Sequence, residues 1–162
     1  MRGAGFFAAV LLAVSSLSCV PAQAQTASSA DNASSDIPEE GLWLSEEHDG
    51  LFSIQPCGHM LCGQLIGMAY DGAVPKDVWG RSQCGIRMLT DFVPIEDRKW
   101  QGHILDPRTG RVYQARIWVS EPNVLKLRGF VLGMPLLGET QTWTRYTGPA
   151  VGPQCKLPKD AR

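Results

Sequence analysis

Between Gly41 and Tyr146 the sequence divides into eight short runs rich in β-branched, aromatic and Leu residues, at 41–46, 50–56, 61–69, 86–92, 99–105, 111–119, 123–131 and 139–146. Turn-forming clusters punctuate them: Asp49-Gly50, Gly58-His59, Asp106-Pro107-Arg108-Thr109-Gly110, Glu121-Pro122-Asn123 and Gly133-Met134-Pro135. Runs this short, separated by residues suited to tight reversals, predict strands joined by hairpins. Where alternation is testable it agrees. Tyr113, Ala115, Ile117 and Val119 share one face while Gln114 and Arg116 take the other, and Leu125, Leu127 and Gly129 oppose Lys126 and Arg128. Each strand therefore has one buried face. About eight such strands close most economically into an all-β, antiparallel up-and-down β-barrel, which leaves no exposed edge. An open sandwich is the alternative.

Upstream of the first run the chain opens Met1-Arg2-Gly3, continues uncharged through Phe6 to Val14, and reaches Ala22-Gln23-Ala24. This is the layout of a cleavable secretory signal over residues 1–24. The apolar stretch is too short for a bilayer, which takes about 20 residues. A lipidated Cys19 is disfavoured because Leu17 lies one position too late. Residues 25–40 hold mostly small and polar side chains and predict a flexible leader, with the barrel at 41–146 and an irregular tail at 147–162. The expected location is periplasmic or secreted, and the expected state a monomer.

Cleavage would leave Cys57, Cys62, Cys84 and Cys155. An even number in an exported chain implies disulfides, and four cysteines allow three pairings. Cys57 and Cys62 flank Gly58-His59-Met60-Leu61, so a bridge across that hairpin is favoured, with Cys84 reaching Cys155. The other two pairings stay open. The same hairpin offers thiolate, imidazole and thioether groups suited to zinc or copper(I), but an oxidising compartment favours the disulfide, and no metal or other cofactor is expected.

Two segments depart from the strand pattern. The connection from Asp71 to Gly85 is long for a compact domain and carries Trp79, which reads as part of a lid over a ligand or as a plug at one barrel end. The connection Phe130-Val131-Leu132-Gly133-Met134-Pro135-Leu136-Leu137 is unusually apolar. Exposed at the rim, Met134, Leu136 and Leu137 would contact a hydrophobic ligand or an envelope partner; folded inward they would cap the core. With Trp79 and Tyr113 they form the expected ligand-contacting set.

Gly41-Leu42-Trp43 opens the first run and Trp143-Thr144-Arg145 closes the last. In a closed barrel these are neighbours, so Arg145 can lie over Trp43. The pairing resembles the Gly-x-Trp signature and terminal Arg of lipocalins and their calycin relatives, where it closes one barrel end. A closer resemblance rests on Pro56-Cys57-Gly58 with Leu61-Cys62-Gly63, Cys84-Gly85, Trp100-x-Gly102 followed by Asp106-Pro107 and Gly110-x-x-Tyr113, Leu125-Lys126-x-Arg128-Gly129, and Gln141-Thr142-Trp143-Thr144-Arg145. In that order these resemble the bacterial family known as domain of unknown function 2147. The resemblance implies an exported barrel and carries no catalytic residues. Some members place a cysteine where this chain has Phe130.

Catalytic chemistry finds little support in the residue types. His48, His59 and His103 are the imidazoles, none in a nucleophile motif, and Glu46-Glu47-His48-Asp49 reads as a solvated turn. Past residue 24, fourteen Lys and Arg face sixteen Asp and Glu with no basic run, which argues against nucleic acid. The expectation is a non-enzymatic, lipocalin-like barrel that binds a small apolar or amphipathic molecule. The alternative is a filled barrel serving as an envelope interaction module.

Overall fold

A computed structural model describes residues 37–161; the expected signal peptide and most of the leader lie outside the described residues. Eight strands form: β1 (Gly41–Leu44), β2 (Gly50–Cys57), β3 (Met60–Met68), β4 (Arg87–Ile95), β5 (Lys99–Leu105), β6 (Val112–Glu121), β7 (Val124–Phe130) and β8 (Gly138–Arg145). Each pairs antiparallel with its sequence neighbours, and β8 returns to β1, so the sheet is a closed up-and-down barrel. Every predicted run becomes a strand. The first is shorter than expected because the Ser45 hydroxyl accepts hydrogen bonds from the backbone N–H groups of Asp49 and Gly50, turning the chain at 45–49.

The alternating faces meet inside. Trp43, Ile54, Leu61, Leu89, Phe92, Ala115, Ile117, Leu125 and Trp143 are buried to within 1% of complete exclusion from solvent. Each large apolar side chain so buried stabilises the fold by about 1.5–3 kcal/mol, so this layer dominates the interior. Phe52 stacks on Trp143 with ring centroids 4.3 Å apart. Gly102 leaves the room that the Phe92 ring occupies, since a Cβ there would meet that ring at 2.7 Å.

A second, smaller core lies outside the barrel wall. Leu44 and Leu51 pack there with Leu157 and Ala161 of the tail. Gly67 permits this approach, because a Cβ would meet Leu157 at 2.9 Å. The tail is irregular apart from short 3-10 turns at Pro153–Cys155 and Lys159–Ala161. Two disulfides hold the outlying segments: Cys57–Cys62 spans the β2–β3 hairpin with Cα atoms 5.9 Å apart, and Cys84–Cys155 ties the long loop to the tail with Cα atoms 5.5 Å apart.

Residues 37–40, expected to belong to the flexible leader, are seated on the barrel. Ile37 packs against the core, and the backbone N–H of Glu40 donates to the Ile37 carbonyl. Composition marked this segment as unable to bury surface, yet one apolar side chain and hydrogen bonds to barrel side chains suffice to seat it.

Candidate functional site

The two ends of the barrel differ. At one end residues 37–40 form a plug. Trp43 donates through Nε1 to the Glu39 carbonyl at 2.8 Å, and the Glu39 carboxylate accepts from Trp100 Nε1 at 3.2 Å and from the Val119 backbone at 3.3 Å. Arg145 lies over the Trp43 ring at 4.2 Å and donates to the Pro38 carbonyl at 2.7 Å and the Glu40 carbonyl at 2.9 Å. Gly41, with φ +128°, keeps space for this guanidinium, since a Cβ would meet its Nη1 at 2.5 Å. Gly41, Trp43, Trp143 and Arg145 thus lie on the two strands that close the barrel, with the guanidinium bonded to the plug.

The other end is open. A cavity of about 880 Å³ enters there, its wall built by Phe52, Leu65, Met68, Met88, Ile104, Tyr113, Leu127 and Trp143. Strand alternation explains this wall: these positions continue the inward faces that fill the closed end, and at the mouth Gly129 contributes no side chain to that face. β8 contributes polar side chains instead, Glu139 and Gln141, with the Gln141 amide oxygen accepting from Trp143 Nε1 at 2.9 Å. Gly129 faces the cavity opposite Glu139, and a Cβ there would meet nothing within 4 Å.

The rim is made by turns. Glu46, Glu47 and Asp49 stand on the β1–β2 turn, Pro75 and Gln83 on the long loop, and Asp106 and Arg108 on the β5–β6 turn. Burial pushes the Asp106 carboxyl up, but hydrogen bonds from the Arg108 backbone, the Thr109 hydroxyl and the Arg108 guanidinium outweigh it and hold the group below its ordinary value. The side is ionised at neutral pH and shapes its turn.

Of the five expected ligand-contacting residues, the structure brings two to the cavity, Tyr113 on its wall and Leu137 at its lip. Trp79 is a correction. It is 57% exposed on the outer surface, with Arg81 over its ring at 4.7 Å and Gly110 against its edge, so it is neither plug nor lining. The cause is Asp77, whose carboxylate accepts from the Trp79 and Arg81 backbones and the Arg81 guanidinium and so winds residues 77–81 into a turn that faces outward. Met134 and Leu136 are also corrected: they lie outside the cavity, Leu136 at 93% exposure. The β7–β8 connection is an exposed rim and not an inward cap, because Arg128 donates to the carbonyls of Pro135 and Leu136 and draws the loop backbone toward the outer face. The inner wall residues were legible as strand faces, whereas the carboxylates at the mouth carried no motif and read as solvated turn residues.

The sequence model of a bacterial family, described as an uncharacterized protein conserved in bacteria and called domain of unknown function 2147, matches residues 41–145, from the start of β1 to the end of β8. The chain belongs to this family. The family's matched span contains the open cavity and both hairpin cysteines Cys57 and Cys62, while the plug at 37–40 and the tail with Cys155 lie beyond it. No curated protein matches the sequence. Among solved structures, protein HP1028 from the human pathogen Helicobacter pylori, described as belonging to the lipocalin family, shares the fold with a TM-score of 0.60 at 18% identity, over 67% of this chain and 82% of that one. This member of the family is therefore a lipocalin-like barrel.

Proposed function

We propose that this protein is an exported, non-enzymatic carrier or scavenger that holds a small amphipathic molecule in the open end of its barrel. The observation that supports this most is the cavity of about 880 Å³ with an apolar wall and one open mouth. Ligand pockets fall in the range of about 300–1,000 Å³ and combine an apolar lining with a few polar groups, and this cavity has both properties. Phe52, Leu65, Met88, Ile104 and Leu127 would hold the apolar body, while Tyr113, Gln141 and Glu139 would face the polar end. Export is part of the reading: the signal-like residues 1–24 supply the route, and two disulfides fit an oxidising compartment.

Native mass spectrometry of the protein purified from the envelope of its own host tests this. A retained small molecule that leaves on denaturation is the expected result. A homogeneous apo mass, together with no uptake of apolar fluorescent probes, would reject it.

One observation favours a second reading, an interaction module for envelope proteins. Val131, Leu132, Met134, Leu136 and Leu137 expose a run of apolar side chains beside the mouth, and exposed apolar patches mark contact sites.

A further inference from the structure

We infer that the cavity selects amphiphiles with a positively charged head, and that Glu139 is the residue that sets this preference. The inference rests on the ligand-binding reading above. Two observations carry it. The first is register: β8 places Glu139 on the same inward face as Trp143, opposite Gly129, so an exposed carboxylate stands at the mouth end of the face that carries the buried Trp143 deeper in the barrel. In front of it is empty volume, since Gly129 contributes no side chain and a Cβ there would meet nothing within 4 Å. Glu139 takes part in none of the ion pairs among the described residues.

The second is the charge of everything else around the opening. Glu46, Glu47, Asp49 and Asp106 add four carboxylates, and Arg108 is the single cation lining the cavity. That guanidinium pairs with the Asp106 carboxylate at 3.3 Å, so the two offset each other and the excess charge at the mouth is that of Glu46, Glu47, Asp49 and Glu139. Glu46 accepts from the Thr142 backbone N–H at 2.8 Å, which fixes the acidic turn beside β8. A fatty-acid anion entering tail-first would leave its carboxylate against this rim. An alkylammonium would place its head between Glu139 and Glu47 with its chain along Leu127, Phe52 and Leu65. One opposite-charge pair near 4 Å in water is worth about a fivefold change in affinity.

The test compares three probes with the same dodecyl chain, dodecyltrimethylammonium, dodecyl maltoside and dodecanoate, each titrated calorimetrically below its micellar concentration. The expected order is cation tightest, by about fivefold over the neutral head, and anion weakest, with the spread shrinking as salt rises. Glu139→Gln and Glu47→Gln should each lower the ratio of cation to dodecyl maltoside affinity toward one, whereas a folding defect would weaken both probes together and leave that ratio in place. Equal affinity for all three heads, or a cation preference untouched by both variants, overturns the charge inference and leaves the cavity reading standing. Failure of all three probes to bind removes both. Cation binding that persists when Gly129→Phe fills the cavity would locate the site elsewhere and also overturns the inference.

Discussion

The Arg145 guanidinium lies 4.2 Å from the centroid of the Trp43 ring while its two terminal nitrogens bond the carbonyls of Glu40 and Pro38. One side chain thus joins the last strand, the first strand and the plug. Arg145→Ala removes a cation-π contact and two charge-assisted hydrogen bonds and should cost about 2 kcal/mol of stability in urea unfolding. Arg145→Lys should recover only part of this, because an ammonium cannot form the same planar fork. A loss under about 0.5 kcal/mol for Arg145→Ala would show that the contact is incidental.

Glu39 is 4% exposed and its carboxylate serves two donors, Trp100 Nε1 and the Val119 backbone. Glu39→Ala leaves both without that acceptor at a covered end of the barrel. The expected loss is about 2 kcal/mol, with hydrogen exchange at Val119 accelerated. Unchanged protection at Val119 would mean that residues 37–40 do not form the plug in solution.

The two disulfides should contribute unequally. Cys84–Cys155 joins residues 71 positions apart and Cys57–Cys62 joins residues 5 apart. On loop-closure entropy the long bridge is worth about 4 kcal/mol and the short one about 2. Replacing Cys84 and Cys155 together by Ala should therefore lower the unfolding midpoint by more than replacing Cys57 and Cys62, and the reverse order would contradict the entropic account.

Gly129→Phe should fill the open end without disturbing the wall. The position is on a strand, and a Cβ meets open space. Uptake of an apolar probe should fall by at least about tenfold while the free energy of unfolding stays within about 1 kcal/mol of the parent. Undiminished uptake would place the probe outside the cavity.

Acid should loosen the outer turn at 77–81 before it unfolds the barrel. Burial pushes the Asp77 carboxyl up, but the hydrogen bonds from Arg81 and Trp79 and the Arg81 charge together bring it below its ordinary 3.8. A lowered folded value means that the stabilisation is fully present above the ordinary value and is lost as pH falls through the folded one. The amide signals of Trp79 and Arg81 should therefore hold their positions from neutral pH down to about 4 and shift only below it. In Asp77→Asn this acid step should be absent.

The eight strands were legible because each announces itself locally: Tyr113, Ala115 and Ile117 on one face need only a period of two, and Asp106 to Gly110 needs only turn chemistry. Barrel closure was legible for a related reason, since Gly41, Trp43 and Arg145 occur at the two ends of the strand series. The open cavity was not. Whether inward side chains fill a barrel depends on which residues eight strands bring together at one level, and no single run records that. Trp79 was misplaced because an aromatic in a long loop suggests a plug, whereas the hydrogen bonds accepted by Asp77 decide where the loop points. Glu139 escaped notice because its neighbours, Gly138, Thr140 and Gln141, give no apolar alternation from which the inward phase of β8 can be read.

β1 and β8 meet through only two residue pairs, Trp43 with Arg145 and Leu44 with Thr144. The adjoining seams are longer, with four pairs between β1 and β2 and seven between β7 and β8. Beyond the second pair, the Thr142 amide turns to a side chain, Glu46, because β1 has already ended. The cylinder is thus a rolled sheet fastened by a short clasp, and the clasp lies at the plugged end. Thermal fluctuation that spreads the wall will find least resistance along the unclasped stretch of β8, so the width of the mouth can vary while the sealed end keeps its shape.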